Sequence, residues 1–231
     1  MTRCAVLGMG SWGTTFAMVL ADAGCQVRLC GRREDLVEQV NRSHRNLGYL
    51  PDVDLPHGVR ATTDPAEAMS GADLVVLAVP SQSLRQNLSG WRALIPARAV
   101  LVSLMKGVEV GSTLRMSEVV REVTDLPAER VAVLSGPNLA GEIARRQPTA
   151  AVVACTDHDV AEQVARACAT GYFRPYTGVD VVGTELGGTV KNVIAMAVGM
   201  AAGMDLGDNT RATIITRGLA EIMRLGIALG A

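Results

Sequence analysis

The chain has 231 residues and a formal net charge of −1, so it holds no basic excess with which to neutralise a nucleic-acid backbone. Aromatic residues make up only 3%, which leaves few surfaces on which bases could stack. With 48% hydrophobic residues it can bury one large domain, or one domain and a smaller one.

Residues 4–7 form an apolar run that predicts a buried strand. It ends at a glycine-rich turn with Gly8, Gly10 and Gly13. Residues 13–23 predict a helix stopped by Gly24, and residues 26–30 predict a second strand. In this strand–turn–helix–strand context, G-x-G-x-x-G points to a dinucleotide. Gly8 permits the tight turn, Gly10 lets a pyrophosphate approach the backbone, and Gly13 lets the helix lie against the sheet. The free N–H groups at the helix start then face the phosphates. Where NAD-preferring sites place an acid, the second strand ends at Arg32 and Arg33. Two guanidiniums there suit the 2′-phosphate of NADP, with NAD still possible. The apolar N-terminus is explained by this strand and turn and does not require a signal peptide.

Residues 34–41 predict a short helix, 46–58 a loop, and 62–69 a helix begun at Thr63 or Asp64 with Pro65 in its first turn. Residues 73–80, DLVVLAVP, show no alternation, as expected of a parallel strand buried on both faces. They end at Pro80, Ser81 and Gln82, on the carboxyl edge where ligands of such folds sit. Further helices are expected at 86–94, 113–123, 139–145 and 158–170. Further strands are expected at 99–103, 131–134, 150–154 and 173–176. The alternation predicts an α/β fold, a Rossmann-like doubly wound sheet. From about residue 183 only helices are expected, at 185–204 and 208–229, with Asp208 as an N-cap. This divides the chain into a dinucleotide-binding domain at 1–182 and the start of an all-α domain at 183–231. The most apolar late stretch, 193–204, is too short to span a bilayer.

The five cysteines, Cys4, Cys25, Cys30, Cys155 and Cys168, are odd in number and form no C-x-x-C pair. They read as small buried hydrophobes in a reducing, cytoplasmic setting. The three histidines are isolated from them, so no metal site is expected.

Two lysines are candidates for chemistry. Lys106 follows a buried strand on the carboxyl edge. Lys191 lies in a helix apolar nearly all round, with Glu185 and Asn192 nearby. It either snorkels at a rim or is buried, and burial would lower its pKa and suit it to proton transfer.

GMGSWG at 8–13, AVPSQ at 78–82, SLMKGVE at 103–109, SGPNLAGEI at 135–143, TELGGTVKNVIA at 184–195 and GMDLGDNTRATIITRGLAE at 203–221 run from end to end of the chain. With these stretches the sequence closely resembles bacterial NAD(P)-dependent glycerol-3-phosphate dehydrogenases. Met9 in the glycine turn and Asn138, where many members carry Ser, depart from the pattern. The resemblance implies reversible reduction of dihydroxyacetone phosphate to sn-glycerol 3-phosphate for phospholipid synthesis. It implies that Lys191 exchanges the proton and that Lys106 contacts both cofactor and substrate. It assigns Gly136 and Asn138 to substrate, and Ser11, Trp12, Arg32, Arg33 and Ala140 to cofactor. A homodimer is implied for full-length members.

Members of this family continue for roughly another hundred residues, supplying an Asp at the catalytic lysine and a Ser-Arg-Asn segment that grips substrate and cofactor. The chain therefore reads as a fragment or a shortened product with exposed apolar helix faces. Two other readings compete: a lysine-dependent dehydrogenase of the hydroxyisobutyrate and 6-phosphogluconate group, and a remnant that binds NADP(H) without turnover.

Overall fold

The structure is a computed structural model and describes residues 1–231. Its centre is an eight-stranded sheet. The strands are β1 (Arg3–Leu7), β2 (Gln26–Cys30), β5 (Val59–Thr62), β6 (Leu74–Leu77), β7 (Val100–Ser103), β8 (Val131–Ser135), β9 (Thr149–Ala154) and β10 (Phe173–Gly178). A separate two-stranded hairpin joins β3 (Arg45–Asn46) to β4 (Leu50–Asp54). The sheet order is β10-β9-β8-β7-β6-β1-β2-β5. The chain winds outward from β1 in both directions, leaving a crevice at the β1/β6 switch point where such sheets bind ligands.

The strand sequences explain the burial. In β1, Cys4 and Val6 face one core while Ala5 and Leu7 face the other. A strand covered on both faces has no solvent side, so its sequence does not alternate. One core is covered by α1 (Ser11–Asp22), α2 (Glu34–Ser43) and α7 (His158–Cys168), and holds Phe16, Leu20 and Phe173. The other is covered by α3 (Pro65–Met69), α4 (Leu84–Trp91) and α5 (Met116–Thr124), and holds Met69, Leu84 and Leu88. The short α6 (Ala140–Ala144) packs against α1.

Local signals set several boundaries. The Asp64 carboxylate caps α3 by accepting from the Ala66 N–H at 2.8 Å, with Pro65 in the first turn. Asp157 caps α7 and Asp180 caps the next helix in the same way.

Several expectations are corrected. Residues 46–58 are not one loop, because β4 pairs there with β3. The expected helix at 62–69 is shortened because residues 59–62 pair with β2 as an edge strand. The doubly wound sheet is found as expected, with one antiparallel pair, β9 against β8. Asp208 is not an N-cap: Gly207 holds that position and Asp208 lies in the first turn, where its charge still favours the helix start.

Two long helices end the chain, α8 (Val181–Gly203) and α9 (Asp208–Ala228), packed on each other. The apolar stretch seen at 193–204 belongs to the 23-residue α8, which by length and composition alone could cross a membrane. Its first half instead lies along β8 and β9. Glu185 and Leu186 are buried there, whereas Val193, Met196 and Met200 on its second half are exposed.

Candidate active site

The glycine-rich turn leaves β1 at Gly8, whose φ is +124°. A Cβ on Gly8 would lie 2.4 Å from the Ala78 carbonyl oxygen, and one on Gly13 would lie 1.9 Å from that of Gly8. Neither position can accept a side chain without moving backbone. Gly10 differs: nothing lies within 4 Å of where its Cβ would be. It is the N-cap of α1 and has no side-chain cap, so the first N–H groups of the helix face open space.

A cleft of about 600 Å³ opens there, lined by Gly8, Gly10, Trp12, Arg32, Arg33 and Tyr49 among others. The Trp12 indole nitrogen is buried without a hydrogen-bond partner. Arg33 closes its fork on Asp35 at 3.1 and 2.5 Å. Arg32 makes no such pair and is the freer guanidinium of the two. A bare helix start, an unpartnered indole donor and a free guanidinium fit a phosphorylated dinucleotide. Ser11 and Gly13 flank this lining: the Ser11 hydroxyl donates to the Tyr49 carbonyl at 3.4 Å, and Gly13 is buried.

A second cavity of about 610 Å³ lies where β8 ends beside α8. Gly136, Gly188 and Lys191 line it. A Cβ on Gly188 would lie 2.2 Å from the Ser135 hydroxyl, so this glycine brings α8 close to the end of β8. The Lys106 ammonium donates to the Gly136 carbonyl at 2.8 Å, and the Asn138 N–H donates to the same oxygen at 2.8 Å. Burial, and then the Lys191 ammonium nearby, hold the Lys106 pKa below its usual value.

Lys191 itself is exposed rather than enclosed by apolar neighbours, because from there onward α8 leaves the sheet and packs along α9 on one side. Both polar atoms of the Asn138 side chain are buried and unpartnered. Ala140 is not among the residues lining either cavity, and its carbonyl accepts from the Thr15 hydroxyl at 3.3 Å.

The sequence reading missed the frame around Lys106. Gln82 grips the segment after β7 with both ends of its amide, donating to the Val108 carbonyl at 2.8 Å and accepting from the Val110 N–H at 2.9 Å. Arg85 forks onto Glu109 at 2.9 Å through both contacts. The Gly107 N–H donates to the Thr189 hydroxyl at 3.0 Å, tying the same segment to α8. The placement of Gln82 just after a buried strand was the available signal, but it pointed to a ligand rather than to a neighbouring loop.

The family model described as the NAD-dependent glycerol-3-phosphate dehydrogenase N-terminus matches residues 3–161, and that for the C-terminus matches residues 180–231. The chain belongs to this family. It is 61% identical over 229 residues to the glycerol-3-phosphate dehydrogenase [NAD(P)+] of Streptomyces griseus, covering 99% of this chain and 68% of that one. It is 60% identical over 231 residues to the enzyme of the same name from Corynebacterium jeikeium, covering all of this chain and 70% of that one. The crystal structure of glycerol-3-phosphate dehydrogenase from Coxiella burnetii superposes with a TM-score of 0.90 at 36% identity, covering 99% of this chain and 69% of that one. These matches favour the glycerol-3-phosphate dehydrogenase family over the hydroxyisobutyrate and 6-phosphogluconate group, and over a remnant without turnover. A ketopantoate reductase from Ralstonia eutropha, at 20% identity and a TM-score of 0.68, shares the fold alone.

Proposed function

We propose that this NAD(P)-dependent oxidoreductase reduces dihydroxyacetone phosphate reversibly to sn-glycerol 3-phosphate, with Lys191 as proton donor and Lys106 as a second positive charge at the substrate. The observation that carries the reading is the convergence of Lys106 and Lys191 beside Gly136 at the carboxyl edge of the sheet. A nicotinamide cofactor held in the cleft at Gly10 and Arg32 would supply the hydride that turns the ketone carbon into an alcohol carbon.

The chain's own residues do the rest. Negative charge grows on the carbonyl oxygen as the ketone is reduced. A positioned ammonium at Lys191 stabilises that charge and gives up a proton to it, and takes the proton back in the oxidative direction. Lys106 is held by the Gly136 carbonyl, which fixes its position without cancelling its charge. Lys191 lines the cavity and the Lys106 ammonium is bonded to Gly136 at its wall, and two positive charges so placed suit a substrate that carries a phosphate dianion. Gly136 and Asn138 border the same place, and the unpartnered Asn138 amide has both a donor and an acceptor to offer.

Gly8, Gly10, Ser11, Trp12, Gly13, Arg32 and Arg33 form the cofactor side. Arg32 favours NADP through the 2′-phosphate. A division into domains at 1–182 and 183–231 is supported by the nearby change from strands to helices, which falls between Gly178 and Val181. The family relationship supports glycerophospholipid synthesis in the cytoplasm and a homodimer at full family length.

The test is NADPH oxidation with dihydroxyacetone phosphate, with cofactor binding followed by fluorescence in the same sample. Turnover that requires both reactants is expected. NADPH binding with no turnover on this substrate would reject the proposed reaction for this chain.

A further inference from the structure

We infer that Asn46 is a positioning residue for cofactor binding, its amide holding the glycine-rich turn in the shape that receives a pyrophosphate. The inference rests on the dinucleotide reading of the cleft.

Asn46 is fully buried on β3, a two-residue strand far in sequence from the turn it touches. Its amide nitrogen donates to the Met9 carbonyl at 3.1 Å and to the Thr14 hydroxyl at 2.8 Å. Both hydrogens of the amide are therefore used. One holds the middle of the turn, and the other holds the first turn of α1, where the Thr14 N–H donates to the Gly10 carbonyl at 2.9 Å. The amide spans the stretch whose backbone must face the phosphates. The hairpin touches that stretch again where the Ser11 hydroxyl donates to the Tyr49 carbonyl.

The peptide plane between Met9 and Gly10 gives this contact its consequence. The bond is trans, so its C=O and N–H point in opposite directions. Drawing the Met9 carbonyl towards buried Asn46 aims the Gly10 N–H away from the protein interior. The same contact keeps the negative end of that dipole off a bound anion. A flipped peptide would put a carbonyl oxygen against the phosphates and remove a donor. Gly10 itself does nothing to fix this plane, since it has no side chain, no neighbour within 4 Å of its Cβ position and no side-chain cap.

The cost of the arrangement supports the same role. The Asn46 side-chain oxygen is buried without a partner. An apolar side chain would fill that space without leaving an acceptor bare. The residue gives two donors to the turn at the expense of its own acceptor, which is the pattern expected of a group selected for donation.

The experiment is a titration of the 231-residue chain with NADPH and, separately, with adenosine 2′-monophosphate, which lacks a pyrophosphate. Both tryptophans, Trp12 and Trp91, line the cleft, so intrinsic fluorescence reads occupancy. Asn46→Asp keeps the shape and loses both donors, and Asn46→Ala removes the group. In each variant NADPH binding is expected to weaken about tenfold or more, while adenosine 2′-monophosphate stays within about twofold of the parent. Equal weakening of both ligands, unchanged NADPH binding, or loss of the folded state in both variants would assign Asn46 to packing alone and overturn the inference. A parent chain that binds neither ligand would sink the dinucleotide reading, and the role of Asn46 with it.

Discussion

Glu185 on α8 meets Ser117 on α5 through two contacts, accepting from its N–H at 2.8 Å and from its hydroxyl at 2.5 Å. The Arg115 guanidinium joins them at 2.7 Å. Burial raises the Glu185 pKa, while these partners oppose the rise. Glu185→Ala leaves the Arg115 charge partly unpaired beneath the helix, and a destabilisation of about 3 kcal/mol is expected. Urea unfolding measures it, and a change below about 0.5 kcal/mol would mean that α8 is held by other contacts.

Lys191→Ala removes the proposed proton donor from an exposed position. Turnover is expected to fall about a hundredfold to ten-thousandfold, with NADPH binding unchanged. Steady-state rates and fluorescence titration separate the two effects. Near-parental turnover would transfer the proton role to another group.

Arg32→Asp replaces the guanidinium that has no protein partner. NADPH affinity is expected to drop about tenfold or more, while NADH affinity holds. Equal loss for both cofactors would show that the residue does not read the 2′-phosphate.

Glu109 is held by Arg85 and Ser112, and the Arg85 guanidinium foremost pulls its pKa down to about 2. A carboxyl depressed in the folded state stabilises the fold above its unfolded pKa and loses that contribution as pH falls towards the folded value. The stability gap between the parent and Glu109→Gln should therefore be widest above about pH 4.5 and shrink between about pH 4.5 and 2. Thermal melts across that window decide it. A gap that is constant with pH would mean that the charge on Glu109 is not what holds the Lys106 segment.

Met196, Met200, Met223 and Ile227 are each 60% exposed or more, on two adjacent helices. An apolar surface of this kind favours association. Light scattering is expected to show self-association that Met200→Lys combined with Met223→Lys reduces. A monodisperse monomer of the parent chain would count against it.

The central strands were legible because complete burial leaves a continuous apolar run, as in LVVL at β6. The edge strand β5 reads VRAT, too short and too mixed to separate from a loop. The direction of β9 was hidden because residue types do not encode whether a strand runs with or against its neighbour. At the site, the glycines, Arg32 and both lysines were readable from type and spacing. Asn46 was not, since its partners lie at Met9 and Thr14, across a chain reversal. Glu185 was read as a companion of Lys191. Six residues along a helix turn about 240°, which points the two side chains apart, and the structure finds the Glu185 carboxylate bonded to Ser117 of α5.

The uneven burial of α8 separates two mechanical roles within one helix. Up to Thr189 it is fastened to the sheet side, through Glu185, Leu186 and the Gly107 N–H. From Lys191 to its end, about 18 Å, it leaves the sheet and packs along α9, with Ile194 seated against Gly218. Lys191 sits at the fulcrum, two residues beyond the last anchor at Thr189. A load applied to this α8–α9 arm would move its tip further than it moves the ammonium at its root. The alignment of the two lysines is thus insulated from whatever engages the helical end of the molecule.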